Sequence, residues 1–241
     1  MAVPRLRDGP IVTAVEPDPR VPRDLLDSAS GRGYVSASSS SDPRIMARML
    51  DLLGLGPGMR VLEIGTGTGY NAALLAHLVG AGNVTSVEVD AGLAENARAS
   101  LEAAGCPVRV VTGDGVEGCP DGAPYDRVIA TAAVRALPHA WVAQTRPGGI
   151  ILAPWAPVFH PDGPLGVVAV GADGHAEGRF VEPAPFMPMR GQRVGPQEAQ
   201  DVREWWQGLG EPACSRFGLT VTAEDEHLLW MDEPGRVLFG G

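Results

Sequence analysis

The most informative stretch of the sequence is VLEIGTGTGY, residues 61–70. Strand-forming residues run directly into a loop with glycine at positions 65, 67 and 69. Glycine adopts backbone conformations that other residues avoid, and its lack of a Cβ lets a ligand approach the main chain. In open α/β sheets, ligands bind beyond the carboxyl ends of the strands, where strand order reverses. The stretch therefore predicts a first strand, a ligand-binding turn and a helix.

Residues 60–155 continue this pattern, because short apolar segments alternate with longer amphipathic ones. Such alternation predicts a parallel, doubly wound sheet with helices on both faces, an α/β fold of Rossmann-like type. The predicted strands are RVLEIG (60–65), VTSVEVD (84–90), VRVVTGD (108–114), YDRVIATAAV (125–134) and GGIILAPW (148–155). The predicted helices are YNAALLAHLV (70–79), AGLAENARASLEAAG (91–105) and HAWVAQTR (139–146).

The flanking segments differ in composition. Residues 1–33 are rich in Pro, Arg, Asp and Gly and lack periodicity, which predicts an irregular N-terminal arm. YVSASSSSDP (34–43) predicts a serine-rich loop that leads into a helix, with Asp42 as the N-cap. Residues 195–241 predict a C-terminal extension made of a helix and a β-hairpin around AEDE (223–226). The main domain is accordingly predicted to span residues 34–194.

The charge of the chain limits its function. The 241 residues include 29 acidic and 19 basic side chains, a net charge of −10, and every basic residue is arginine. The absence of lysine excludes Schiff-base chemistry and a P-loop. A nucleic acid partner is not expected, because phosphate binding needs clustered positive charge. Three cysteines and five histidines lack the spacing of a metal site. We also predict a cytoplasmic protein without a membrane partner, since no membrane span or signal-peptide core is visible.

Acidic residues also follow the second and third predicted strands. Glu88 lies roughly 20 residues after the glycine loop, where a carboxylate can bind both hydroxyls of a ribose. Asp90 is the alternative for that role. Asp114, within GDG (113–115), is placed to accept a hydrogen bond from an adenine amino group. Each acid could instead cap a helix, but their order at successive strand ends favours a nucleoside cofactor.

The spacing G-x-G-x-G after an acidic strand residue, Glu63, resembles motif I of the S-adenosylmethionine-dependent methyltransferases. With VTSVE, VVTGDGVEG, APYDRVIATAA and QTRPGGIILAP, it makes residues 34–192 resemble the protein-L-isoaspartate O-methyltransferase family. The resemblance implies S-adenosylmethionine as the cofactor and S-adenosylhomocysteine as the product. The cofactor-binding residues that it implies are Glu63, Gly65, Thr66, Gly67, Gly69, Tyr70, Glu88, Val89, Gly113, Asp114 and Gly115.

The same resemblance implies an acceptor site. The family carries a Thr-x-Ser-x-Pro pattern beside the transferred methyl group, and SSSDP (39–43) matches it here. Ser39 and Ser41 are therefore the predicted catalytic residues, and the predicted substrate-binding residues are Ser38, Ser40 and Arg190. FMPM (186–189) resembles the family's late strand Phe-Val-Pro-Leu. The alternative is that the serines only cap a helix and Arg190 is a solvated surface residue.

The chain also departs from the family pattern. Residues 1–33 lack the Ala-Tyr-x-Asp-x-Pro-Leu segment, four serines replace the usual loop, and residues 195–241 extend beyond the usual end. These departures resemble a sub-branch that matures ribosomally made peptides. The implied function is esterification of an aspartate in a precursor peptide, whose ester closes to an aspartimide. The alternatives are repair of isoaspartyl proteins and a non-catalytic module that keeps the cofactor fold.

The chemistry of carboxyl methylation agrees with this residue inventory. The reaction is an in-line displacement at a methyl group on a sulfonium sulfur. An ordinary aspartate has a pKa near 3.9, so the attacking oxygen is already ionised at neutral pH and no general base is required. The enzyme contributes mainly by positioning the reactants. A sequence without an evident His–Asp or Cys–His pair fits this requirement.

Overall fold

The computed structural model describes residues 9–240. Its α-helices are α1 (Pro43–Leu53), α2 (Tyr70–Val79), α3 (Ala91–Ala103), α4 (His139–Gln144) and α5 (Pro196–Gly208). Its strands are β1 (Ile11–Pro17), β2 (Tyr34–Ser40), β3 (Val61–Ile64), β4 (Val84–Glu88), β5 (Arg109–Thr112), β6 (Tyr125–Ala130), β7 (Thr145–Pro154), β8 (Pro164–Val170), β9 (Ala176–Pro183), β10 (Phe217–Val221), β11 (His227–Met231) and β12 (Val237–Gly240).

Ten strands form one sheet in the order β12-β11-β10-β9-β8-β7-β6-β3-β4-β5. Strands β3 to β7 pair in parallel, and β8 to β12 continue the sheet antiparallel. The chain runs from β3 outward through β4 and β5 and then returns to the other side of β3 with β6. Strand order therefore reverses beside β3, and the predicted doubly wound α/β fold is confirmed.

The central strands are covered on both faces. Every residue of β3 and β4 is buried, as expected for parallel strands between helical layers. Trp141 on α4 is fully buried, and its indole Nε1 donates a hydrogen bond of 2.8 Å to the carbonyl of Gly115. This contact connects α4 to the turn that follows β5.

The prediction of an irregular N-terminal arm is wrong for residues 11–17. They form β1, which pairs antiparallel with β2 in a separate two-stranded sheet. The serine-rich segment, predicted as a loop, is largely strand β2, although Asp42 caps α1 as predicted. Proline and glycine between the two strands obscured the pairing. The β-branched residues of IVTAV (11–15) were the available signal for a strand.

The C-terminal segment extends the main sheet. Strand β10 pairs with β9, and β11 and β12 follow it in order. Phe217 and Leu219 belong to the same apolar cluster as Leu62 and Ile64 of β3. The helix and hairpin of residues 195–240 therefore share one core with the parallel strands, because their apolar faces have no other layer to cover them.

No helix within residues 9–240 combines the length and apolar character that a membrane crossing requires. The cytoplasmic location stays a prediction.

Candidate active site

A cavity of about 310 Å³ lies where strand order reverses. Its floor is the glycine loop after β3 and the ends of β4 and β5. Strand β2 and residues 187–190 with Arg193 form the opposite side. Its volume lies within the range of small-molecule sites, which begins at about 300 Å³. Thirteen predicted site residues line it: Ser38, Ser39, Ser40, Ser41, Gly65, Thr66, Gly67, Tyr70, Glu88, Val89, Asp114, Gly115 and Arg190.

The glycine loop has the backbone conformation that the sequence pattern predicts. Gly65, Gly67 and Gly69 have φ angles of +93°, +53° and +83°. A Cβ at Gly65 would lie 2.7 Å from Thr131 Oγ1, whose hydroxyl donates to the Gly65 carbonyl at 2.6 Å. A Cβ at Gly67 would face β2, 3.5 Å from Ser38 Oγ. The loop thus presents bare backbone to the cavity and to the serine strand.

Gly69 has a different position from the other two glycines. It is the N-cap of α2, and a Cβ there would meet Leu101 of α3 at 3.2 Å. Gly69 does not line the cavity. Its conformation serves the packing of α2 against α3, and a contact between Gly69 and the cofactor stays a prediction.

Glu88 is the acid that faces the cavity. Its Oε2 accepts a hydrogen bond from the Gly67 backbone nitrogen at 2.9 Å, and its Oε1 accepts one from Asp90 at 3.1 Å. Each carboxylate oxygen keeps a second lone pair, which suits a ligand with two neighbouring hydroxyls. Asp90 caps α3 through Gly92 and Leu93 and does not line the cavity. The structure therefore separates the two alternatives and favours Glu88.

Glu63, which the family resemblance implies as a cofactor-binding residue, does not line the cavity. Its side chain is fully buried beneath the glycine loop, where it accepts hydrogen bonds from Asn71 Nδ2 at 2.8 Å and Ser86 Oγ at 2.5 Å. Burial raises the pKa of Glu63 to about 7, against the opposing effect of the two hydrogen bonds. Ser86 also bonds Thr66, so Glu63 supports the loop from below.

The turn after β5 supplies one acidic side chain to the cavity. Asp114 lines it and also caps a short 3₁₀ turn, accepting from Val116 N at 3.0 Å. Gly115 lies against Ile64, whose Cγ2 would be 2.6 Å from an added Cβ. Gly113 does not line the cavity, because its place is in the backbone ladder, where its nitrogen donates to the Glu88 carbonyl. A contact between Gly113 and the cofactor stays a prediction.

The four serines of β2 and its end all line the cavity. Ser38 is buried and accepts a hydrogen bond from Thr13 Oγ1 at 2.9 Å. The hydroxyls of Ser39, Ser40 and Ser41 have no hydrogen-bond partner within residues 9–240. These hydroxyls are thus available to a ligand in the cavity.

Several lining residues were missed by the sequence reasoning. Asn71 follows the glycine loop on α2, and Thr131 follows β6. Glu16 and Arg193 are 177 positions apart in the sequence. Arg190 lies at the cavity as predicted, where it pairs with Glu16 at 3.3 Å and with Asp90 at 3.4 Å. For Asn71, the only local signal was its position as a polar residue directly after the sequence G-x-G-x-G-Tyr.

The cavity fits the cofactor that the sequence motifs imply. Asn71 Oδ1 is buried without a hydrogen-bond partner among the described residues, so it can accept a hydrogen bond from a bound cation. Glu88 offers acceptors for vicinal hydroxyls, and Asp114 offers one for an amino group. Acceptors therefore predominate at this end, as a cationic nucleoside such as S-adenosylmethionine requires.

Comparison with known proteins gives concordant matches. The family model described as Protein-L-isoaspartate(D-aspartate) O-methyltransferase (PCMT) matches residues 25–193. A protein-L-isoaspartate O-methyltransferase of Hyperthermus butylicus is 40% identical over 192 residues, 72% of this chain and 79% of its own. One from Methylorubrum extorquens is 38% identical over 192 residues, 76% of this chain and 82% of its own.

Solved structures share the fold. A protein-L-isoaspartate O-methyltransferase superimposes with a TM-score of 0.70 at 23% identity, covering 94% of this chain and 87% of its own. A putative one from Plasmodium falciparum, in complex with S-adenosyl-L-homocysteine, gives a TM-score of 0.55 at 15% identity, covering 65% and 78%. Coverage of 94% necessarily includes most of residues 195–241. The architecture of that segment is therefore not peculiar to this chain.

Proposed function

Because the chain belongs to the protein-L-isoaspartate(D-aspartate) O-methyltransferase family, we propose that it methylates the free carboxylate of an isoaspartyl residue in a protein or peptide. The chain is an S-adenosylmethionine-dependent protein carboxyl O-methyltransferase with a Rossmann-like fold. The observation that carries the proposal is the placement of unpartnered serine hydroxyls opposite the glycine loop, across one cavity.

The cofactor half of the site is assigned to the end of the cavity lined by the glycine loop. S-adenosylmethionine supplies a methyl group made electrophilic by its positive sulfur. In this proposal, Glu88 binds the ribose hydroxyls, Asp114 accepts from the adenine amino group, and Asn71 Oδ1 accepts from the cationic end of the molecule. The glycine loop lets these contacts form, since a side chain there would fill the space.

The acceptor half is assigned to the serine strand. Ser39 and Ser41 are proposed to donate hydrogen bonds to the acceptor carboxylate and to orient one oxygen for attack. Neutral hydroxyls suit this task, because they hold the carboxylate without strongly stabilising its negative charge, which the reaction removes. No proton has to be taken from the acceptor, since a carboxylate of pKa near 3.9 is ionised at neutral pH.

The narrower hypothesis, esterification of a precursor-peptide aspartate followed by aspartimide closure, has less support. In that closure the following backbone nitrogen attacks the ester carbonyl, loses its proton and expels methanol. The hypothesis rests on the serine run and on the departures in residues 1–33. The C-terminal extension does not favour either acceptor, because a solved protein-L-isoaspartate O-methyltransferase structure covers 94% of this chain.

A comparison of acceptors tests the proposal. Matched peptides that contain aspartate or isoaspartate at one position are incubated with enzyme and S-adenosylmethionine, and their masses are followed. We expect methyl gain on the isoaspartyl peptide across unrelated sequences. Methyl gain restricted to ordinary aspartate in one peptide would support the narrower hypothesis, and no gain on any peptide would contradict both.

Replacing either acceptor serine by alanine should slow turnover. We expect Ser39→Ala and Ser41→Ala each to lower kcat/KM by about tenfold, the loss of one hydrogen bond to a charged group, about 1.5 kcal/mol. Binding of S-adenosylhomocysteine should stay unchanged, because the assigned cofactor contacts lie elsewhere. Steady-state methylation and calorimetry measure the two quantities. Ser36→Ala on the same strand is the matched control, because Ser36 does not line the cavity.

A further inference from the structure

Glu16 of β1 places its carboxylate between two arginines at the cavity. Its Oε2 lies 3.3 Å from Arg190 Nη2, and its Oε1 lies 3.3 Å from Arg193 Nη2. All three residues line the cavity, and the two arginines are the only cationic side chains among its described lining residues. An acidic protein that binds an anionic acceptor thus has its local positive charge here. Glu16 lies between the two arginines, and Asp90 lies a further 3.4 Å from Arg190, so two carboxylates already balance this charge.

The contact of Glu16 with the arginines is loose. Separations of 3.3 Å exceed the 2.7–2.9 Å typical of charge-assisted hydrogen bonds. By contrast, Arg216 and Asp232 elsewhere on the surface approach to 2.7 Å. The side chains of Glu16, Arg190 and Arg193 are 28%, 45% and 25% exposed. Part-exposed pairs of this kind contribute little to stability, so another carboxylate can replace Glu16 readily.

The strand that carries Glu16 lies outside the main sheet. Among the described residues, β1 pairs only with β2, outside the ten-stranded sheet. Its register shifts between Val12 and Ala14 and again between Ala14 and Val15, directly before Glu16. Such irregularities interrupt the ladder of hydrogen bonds. Glu16 itself is paired with Val35 of β2, so its release requires rotation of its side chain away from the arginines.

We propose that Arg190 and Arg193 form a subsite for a second, non-reacting carboxylate of the acceptor, and that Glu16 occupies this subsite until the acceptor binds. The proposal rests on the peptide-methylating function proposed above. The ligand is an acidic side chain that flanks the methylated residue. The protein would accordingly favour acceptors with a nearby acidic residue.

The reacting carboxylate is a poor candidate for this subsite. Methylation converts it to a neutral ester, so a two-arginine contact would be stronger in the ground state than in the transition state. Interactions of that kind slow the chemical step instead of accelerating it. A flanking carboxylate keeps its charge throughout the reaction, and the arginines can then stabilise both states equally. Their contribution should appear in KM and leave kcat largely unchanged.

Peptide pairs test the subsite directly. N-acetylated, C-amidated isoaspartyl peptides that differ only by Glu or Gln at each of the flanking positions are bound in the presence of S-adenosylhomocysteine, with fluorescence anisotropy as readout. We expect the Glu peptide to bind about threefold more tightly at one position at least. Arg193→Gln should remove this preference. Glu16→Gln should strengthen binding of the Glu peptide only, because it removes the internal competitor.

The surface pair Arg48 and Glu182 provides matched controls, since neither residue lines the cavity. Arg48→Gln and Glu182→Gln should leave both affinities unchanged. Equal binding of Glu and Gln peptides at every position, or an equal effect of Glu16→Gln on both, would overturn the subsite. Methylation of the Gln peptides tests the proposed function separately. If the peptides are methylated but the Glu and Gln peptides bind equally well, only the subsite is refuted. If the Glu peptide binds more tightly but no peptide is methylated, only the proposed function is refuted.

Discussion

We expect Glu88→Ala to weaken the binding of S-adenosylhomocysteine by about 100-fold or more. Two hydrogen bonds from ribose hydroxyls to a carboxylate contribute about 1.5–3 kcal/mol each, and the alanine variant loses both. It also loses the acceptor for the Gly67 backbone nitrogen, which lies 2.9 Å from Glu88 Oε2. The Gly67 end of the loop would then be less well held, although Thr131 and Ser86 still anchor Gly65 and Thr66. Isothermal titration calorimetry measures the loss directly.

Two further variants separate the role of Glu88 in binding from its role in folding. Glu88→Gln keeps the shape of the side chain and one acceptor oxygen, so its affinity for S-adenosylhomocysteine should lie between those of the wild type and Glu88→Ala. Glu182→Ala removes an exposed glutamate outside the cavity and should bind normally. Unfolding curves show whether each variant is folded. An affinity of folded Glu88→Ala within a factor of about three of wild type would contradict the assignment, since even one such hydrogen bond is worth more.

The sequence was sufficient for the half of the site that is formed by consecutive residues. Gly65 and Gly67 follow β3 directly, and Glu88 ends the adjacent strand, so strand periodicity alone placed them at one edge of the sheet. Such local patterns predict proximity in the folded protein, because neighbouring parallel strands end at the same edge of the sheet.

Long-range contacts were beyond the reach of the same reasoning. Glu16 and Arg193 are 177 positions apart and meet only because β1 folds over the cavity. The sequence also could not show to which side of β3 the Glu63 side chain points. Both faces of β3 are buried, so the usual alternation of polar and apolar residues, which reveals the exposed face of a strand, is missing there. The sequence around an acidic residue on such a strand therefore does not show whether its side chain faces a ligand or a helix.

Glu63→Gln should change the pH dependence of stability. The pKa of Glu63 is raised from 4.5 to about 7 by burial, with a further contribution from the nearby charge of Glu88. Between these two values the folded protein binds a proton that the unfolded chain has released. The free energy of unfolding of wild type should therefore fall as pH rises from about 4.5 to about 7 and level off above it. We expect this group to contribute a fall of up to about 3 kcal/mol.

Glutamine can replace the buried acid without leaving polar groups unpaired. Its carbonyl can accept from Asn71 Nδ2, and its amide can donate to Ser86 Oγ, provided that the Ser86 hydroxyl donates to Thr66. Because glutamine does not titrate, the variant should gain stability over wild type at pH 8 but little at pH 5. Denaturant unfolding at both pH values measures the difference, and Glu182→Gln should follow wild type. Parallel curves for Glu63→Gln and wild type would mean that Glu63 is ionised throughout, its charge held by Asn71 and Ser86.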